Sequence, residues 1–307
     1  MPLRTQATNN PFLTNYAQGL QQDLQSAVAN FIAPVVRVPS TIGQFKKFDD
    51  KNAFQVYDTA RAIGGAAKRI EFLASDPTYN CQPQALEIAI DDAERAAAGE
   101  ADPLKLEQAK TRTIVSTAVV SHEDKVLTLI KDSVTATGSR GNWSDTGVDP
   151  VAEIDEQIRL IAIATGILPN RLLWGIKAWE TFRNHPKVVA RQPGAALIGL
   201  TTTQSGNMFL NPRIEQQIGV LSKDLAKAGK TRDVTNIVGD EVFIFYASPS
   251  PDLYDASFAK TFMGGDGGVD TVRQYREEGS RSDIIALDWS EDIKVVSTLC
   301  VKRLTLS

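Results

Sequence analysis

Residues 102–135, DPLKLEQAKTRTIVSTAVVSHEDKVLTLIKDSVT, decide the fold. Asp102 stands where a helix N-cap belongs, and Pro103 follows at the first helical position, where its missing N–H removes no intrahelical bond. From there to Gly138 there is neither Gly nor Pro. Apolar side chains recur at helical spacing through Leu106, Ala109, Ile114, Ala118, Val120, Val126, Leu127, Ile130 and Val134. At 1.5 Å per residue the stretch is a rod of about 45–50 Å, well beyond the usual three turns. Such a rod is the natural axis for the rest of the chain.

Upstream, residues 1–10 are polar and unpatterned and read as a mobile arm, and an amphipathic helix is expected from Phe12 to Ile32, ended by Pro34. Val35–Val38 reads as a strand, Arg69–Leu73 as a second extended stretch, and Leu86, Ile88 and Ile90 alternate in a third that ends at Asp91. Segment 35–91 carries few apolar residues for its length. A hairpin of that kind cannot bury enough surface to stand alone, so it must lie on something else, and a neighbouring subunit is the economical candidate. Downstream, Asp149-Pro150 starts a helix that Gly166 stops. Arg171–Gly175 reads as a buried strand, 177–184 as a short helix, and 241–246 as the clearest strand of this half. The tail is strand-rich: 256–263, 269–276, 283–289 and 293–306, with Gly264-Gly265-Asp266-Gly267-Gly268 as a turn. The fold class is α+β, with the closing sheet packed on the long helix.

The 33 basic and 37 acidic residues give a net charge of −4, which argues against general affinity for DNA or for an anionic membrane. No apolar run approaches 18 residues. Cys81 and Cys300 match no metal spacing and read as buried thiols. His122 has no second ligand four residues on, and His185, in Asn184-His185-Pro186, is a helix-stop residue. The glycine cluster lacks a phosphate-loop pattern, and no Gly-x-Ser-x-Gly occurs. No catalytic, cofactor-binding or metal-binding residue is expected, and the chain does not read as an enzyme. Glu277 and Glu278 beside Arg273, Arg276 and Arg281 form a dense charge cluster of the kind that makes a solvated or intersubunit ion-pair network.

The order of parts is specific: arm and helix, extended excursion, spine helix, compact α/β insertion, closing strands. It resembles the major capsid proteins of tailed double-stranded DNA phages, the Hong Kong 97-type fold. The resemblance rests on Phe31-Ile32-Ala33-Pro34-Val35-Val36-Arg37-Val38, on Pro169-Asn170-Arg171-Leu172-Leu173-Trp174-Gly175 with Trp179, and on Val272-Arg273-Gln274-Tyr275-Arg276-Glu277-Glu278 with Asp292-Ile293-Lys294-Val295. It implies an N-terminal arm and helix (1–34), an extended loop (35–91), the spine helix of a peripheral domain (92–136), an axial α/β domain (137–250) and the closing strands of the peripheral domain (251–307). It further implies a virion protein, made in the host bacterial cytoplasm, that assembles with itself as pentamers and hexamers into a closed icosahedral shell. Expected partners are a separate scaffolding protein, a portal, a cement protein and packaged double-stranded DNA bound without sequence specificity, with no membrane. Candidate intersubunit contacts are Phe45, Lys46, Lys47 and Phe48 on the loop and Arg273, Arg276, Glu277, Glu278 and Arg281 on the closing strands. The same fold serves in encapsulin-like compartments that hold cargo enzymes, which is the alternative reading; a soluble α/β enzyme is a more distant one.

Overall fold

A 31-residue helix, Pro103–Ser133, runs through the molecule and is shared by two hydrophobic cores. The computed structural model describes residues 8–23, 27–48, 59–61, 63–65, 74–98, 103–137, 142–191, 199–226, 229–264 and 271–306. Asp102, the stretch Arg69–Leu73 and the glycine cluster at 264–268 beyond Gly264 lie outside them.

In chain order, strand β1 (Thr8–Asn9) precedes helix α1 (Pro11–Asp23), the single turn α2 (Ala29–Ile32) and β2 (Val35–Val38). Two small ladders follow, β3 (Ile42–Gln44) with β6 (Thr78–Asn80) and β4 (Lys47–Phe48) with β5 (Ala74–Ser75). Then come β7 (Gln82–Asp91), α3 (Asp92–Ala98) and the long helix α4. The second half holds α5 (Pro150–Thr165), β8 (Arg171–Gly175), α6 (Ile176–Asn184), α7 (Pro186–Arg191), α8 (Thr202–Gly206), β9 (Glu215–Gly219), β10 (Ser222–Asp224), β11 (Val234–Asn236) and β12 (Glu241–Phe245). The chain closes with β13 (Ala259–Gly264), β14 (Thr271–Glu277), β15 (Ser282–Val295) and β16 (Val301–Thr305).

The first sheet is built on β15, which is flanked by β14 and β13 and by β7; β1 and β2 complete it. Its apolar face meets the front half of α4: Ile114, Val115 and Ala118 pack with Leu13 and Ala17 of α1, Ile90, Val272, Ile285 and Leu287. The rear half, through Val126, Leu127, Ile130 and Val134, meets a second sheet ordered β16-β12-β8-β9. In β12, Phe243 and Phe245 face α4, while Val242 and Ile244 face α5 and α6. A strand buried on both sides needs this unbroken apolar run. Asp149 caps α5 by accepting from the Val151 and Ala152 amides (3.2 and 3.4 Å), and Gly166 ends it at φ 67°.

Five expectations change. Thr8 and Asn9 pair with β14, so that part of the arm is fixed. The helix expected over 12–32 is two helices, α1 and α2. Segment 35–91 is not all excursion, because β2 pairs with β13 and the whole of β7 pairs with β15; the chain leaves the sheet only between Val38 and Gln82. Segment 251–307 does not stay in one sheet, because β16 crosses to the second and pairs with β12, placing Leu304 opposite Val242 in the outer core. The break expected near residue 290 is likewise absent, since β15 runs straight through it. Ser290, Glu291 and Asp292 are polar yet partnered inside the fold, by the Cys81 carbonyl, by His122 and Lys125, and by the Asn80 amide.

Candidate functional site

The excursion between Ser40 and Cys81 is anchored at its root. Phe45 is buried against Phe262 with ring centroids 5.1 Å apart, and Tyr79 stacks on the same ring at 4.9 Å. Val36, Val38, Cys81 and Val296 close this cluster, and the Cys81 thiol, pushed up by burial, donates to the Phe262 carbonyl. Lys46 pairs with Asp76 across the excursion at 2.6 Å, and Lys47 and Phe48 pair in the β4–β5 ladder. At the root and beyond it the described residues leave apolar side chains uncovered: Ile42 in β3 is 61% exposed and Ile63 fully so. Phe45 is therefore an internal anchor and not an outward contact, and Lys46 already has a partner within its own chain.

The charged cluster of the closing strands also finds partners within the chain. Arg273 binds Asp288 of the neighbouring strand. Arg276 binds both oxygens of Asp92 at 2.6 Å and reaches Asp283 at 3.3 Å and Glu278 at 3.7 Å. Arg95 of α3 meets Asp283 at 2.8 Å and Glu107 of α4 at 3.3 Å. The hydrogen bond to Arg276 holds the Asp92 carboxyl below its usual range and raises the guanidinium. Glu277 accepts from the Ser280 hydroxyl at 2.9 Å. Arg281 sits in the left-handed region at φ 48°, where it makes the β14–β15 turn, and its carbonyl receives the Asp92 amide. The cluster thus ties α3 and α4 to the sheet.

Two junctions join the layers. Arg303 of β16 donates to Glu241 of β12 and, through Nη1, to the Lys131 and Val134 carbonyls at 3.0 and 3.1 Å, satisfying the open end of α4. Lys131 reaches the same buried carboxylate at 2.5 Å. Arg171 of β8 donates to the Phe31 carbonyl at 2.8 Å, with its guanidinium 5.0 Å from the centre of that ring.

On α4, His122 donates through Nδ1 to Glu291 Oε2 at 2.7 Å, and Lys125 reaches Oε1 at 3.1 Å. Burial pushes the Glu291 carboxyl up, but His122 and Lys125 outweigh it and hold it at about 2. A carboxyl held below its ordinary 4.5 stabilises the fold above that pH and stops doing so as pH falls toward 2. The shift corresponds to roughly 3 kcal/mol. Urea midpoints measured from pH 7 to pH 2.5 should therefore drop steeply below pH 4.5 in the natural chain and less steeply in Glu291→Gln. His122 is a partner in this buried pair, a role its sequence neighbours Glu123 and Asp124 did not disclose. Glu123, also missed, is fully buried. Its signal lies in the spacing: four residues after Val119 and four before Leu127, it falls on the apolar stripe of the helix.

Among the described residues no three His, Cys, Asp or Glu side chains gather to hold a metal ion, and no helix is long and apolar enough to cross a membrane. Cys81 and Cys300 are free, buried thiols.

No protein-family model matches the chain. The major capsid protein of Burkholderia phage BcepMu is 28% identical over 191 residues, covering 59% of this chain; the match spans 60% of that relative's length. A phage-related protein from Bordetella bronchiseptica RB50 superposes with a TM-score of 0.76 at 22% identity, covering 98% of both chains. A virus-like particle from Pyrococcus furiosus gives 0.58 at 10% identity, covering 95% of this chain and 97% of that one. The two sheets, the shared spine helix and the rooted excursion are the Hong Kong 97-type fold.

Proposed function

We propose that this chain, which has the Hong Kong 97-type fold, is a major capsid protein that assembles with itself into the icosahedral head of a tailed phage and encloses its double-stranded DNA. The observation that carries the reading is the excursion between Ser40 and Cys81. It is pinned at its base by Phe45 and Tyr79, yet among the described residues it holds two short ladders and leaves Ile42 and Ile63 exposed. A free monomer gains nothing from such an arm, whereas a neighbour that covers it gains an interface. Many modest contacts of this kind, repeated around closed symmetry, give a shell its strength. Pentamers and hexamers, a separate scaffolding protein, a portal and a cement protein follow from this reading as partners, with assembly in the bacterial cytoplasm and a final place in the virion. The work is mechanical, and no catalytic step is assigned. Contact between copies falls to the excursion beyond its root, with Lys47 at its start, while Arg273, Arg276, Glu277, Glu278 and Arg281 brace the subunit that bears the load.

Phe48 and Ala74 face each other in the β4–β5 ladder, so a two-residue turn can replace residues 49–73 without disturbing the root. The natural chain should form megadalton particles by electron microscopy and sedimentation. The shortened chain should keep its melting temperature and fail to close shells. Normal shells from it, or a purely monomeric natural chain, would refute the proposal. Particles from producing cells should hold DNA; protein cargo without DNA would identify a cellular compartment instead.

A further inference from the structure

The strongest unexplained feature is the carboxylate of Glu123. It lies in the middle of α4, wholly shielded from solvent, on the stripe that otherwise carries apolar side chains. Its Oε2 accepts the Val28 backbone amide at 2.7 Å, and the Ala29 amide also faces it. Val28 is the N-cap residue of α2 and has no capping side chain of its own, so Glu123 supplies from another helix the acceptor that this turn lacks. Glu123 Oε1 is buried with no hydrogen-bond partner. The neighbouring His122 and the two amides favour the ionised form, but burial outweighs them, and among the described residues no cation makes an ion pair with Glu123. On α4, His122 and Lys125 are committed to Glu291 of β15, and Asp124 is bonded to Lys223 of β10 at 2.6 Å. The segment Ala29–Ile32 carries no titratable side chain, and Arg171 of β8 is engaged with the Phe31 carbonyl and Glu215. A cleft of 70 Å³ bounded by Ala27, Asn30, Val119 and His122 runs beside the contact and gives solvent a route to within one residue of it.

We infer that Glu123 is a proton-operated latch that holds the connector Val28–Ile32 against the spine helix when protonated and lets it go when ionised. An ionised carboxylate here is desolvated with one oxygen unpaired, whereas the neutral acid is not charged and still accepts the Val28 amide. Burial accordingly pushes its pKa up to about 7 from the ordinary 4.5. The sign follows from linkage. The closed latch binds the proton more tightly than the open one, so closure is strongest below pH 4.5 and is lost as pH rises through about 7. Glu291 acts in the opposite sense a few residues away, weakening the same region below pH 4.5. The connector is held most firmly near pH 4.5, where the two effects meet. Because α2 joins the first helix to β2, its release alters how the whole N-terminal segment is seated. The inference does not depend on the shell reading.

Hydrogen exchange at the amides of residues 28–33, corrected for the intrinsic pH dependence of exchange, tests it on the full chain. Between pH 5 and pH 8 the opening constant should rise roughly 50-fold, while peptides from α5 (150–165) stay level. Glu123→Gln, which keeps an acceptor and cannot ionise, should flatten the response to less than threefold; His122→Ala, which leaves Glu123 in place, should retain it. Should Glu123→Gln not fold, the carboxyl carbon of Glu123 can be titrated by NMR in the natural chain and should show a midpoint near 7. A response that survives in Glu123→Gln, a flat profile in the natural chain, or a midpoint near 4.5 would overturn the latch.

Discussion

Val119→Pro lowers stability by about 3 kcal/mol or more and, on the shell reading, abolishes particles. Val119 is near the centre of α4 and its side chain is only half-buried, so little of this loss is packing. Proline at this position deletes the amide that bonds back one turn and drives its ring into the carbonyl there. The result is a kink between the two halves of the helix, each of which is packed in a different core. Neither core can follow the other through a kink without opening contacts. Val119→Ala is the control and should cost about 1 kcal/mol. Urea unfolding reads the stability and light scattering the assembly. Equal stability in the two variants would mean that α4 is not continuous through this point.

Trp174→Ala should cost about 3–5 kcal/mol. Trp174 is wholly buried between β8 and the outer helices. Its ring centre is 4.7 Å from Phe182, 5.3 Å from Trp179, 6.2 Å from Trp143 and 6.5 Å from Phe209, while Nε1 donates to Gln216 at 2.9 Å. Removing it takes the common member from a set of four aromatic contacts and leaves a cavity too far from solvent to collapse cheaply. The near-ultraviolet circular dichroism signal should fall with the stability, because the aromatic cluster is what gives those rings a fixed environment. Trp174→Phe, which keeps a ring, should lose less than half as much. A loss below 1 kcal/mol for alanine would show that the outer core repacks freely.

Elements with a strong local signature were legible. The long helix announced itself by Pro103 and its apolar spacing, α5 by Asp149-Pro150 and Gly166, and β12 by its unbroken apolar run. What the chain did not announce was partnership. Val301-Lys302-Arg303-Leu304-Thr305 has the same alternation whichever sheet it joins, and only the match of Leu304 to the outer core decides it. The charges around Arg276 look alike whether their partners are Asp92 and Asp283 of the same chain or acids of another. Phe45 in a polar loop reads as an exposed contact until Phe262, more than two hundred residues on, is found beneath it. Ser290-Glu291-Asp292 reads as a turn because its partners are all remote in sequence. Local pattern sets the element; distant partners set what it does.

The arrangement of β15 and β16 bears on how the chain can be made. β15 is the strand on which β7, β13 and β14 all converge, and β16 supplies an edge of the second sheet together with the arginine that closes the end of α4. Both follow in sequence nearly everything they pair with. On a translating ribosome neither layer can close before residues 282–305 have emerged, so earlier segments wait with their apolar faces uncovered. Contacts this distant in sequence also make for slow folding. A nascent chain stalled upstream of residue 282 should remain protease-sensitive over α4. Binding surfaces that depend on the finished sheets can then form only once residues 282–305 have left the exit tunnel, which keeps shorter nascent chains out of any growing assembly.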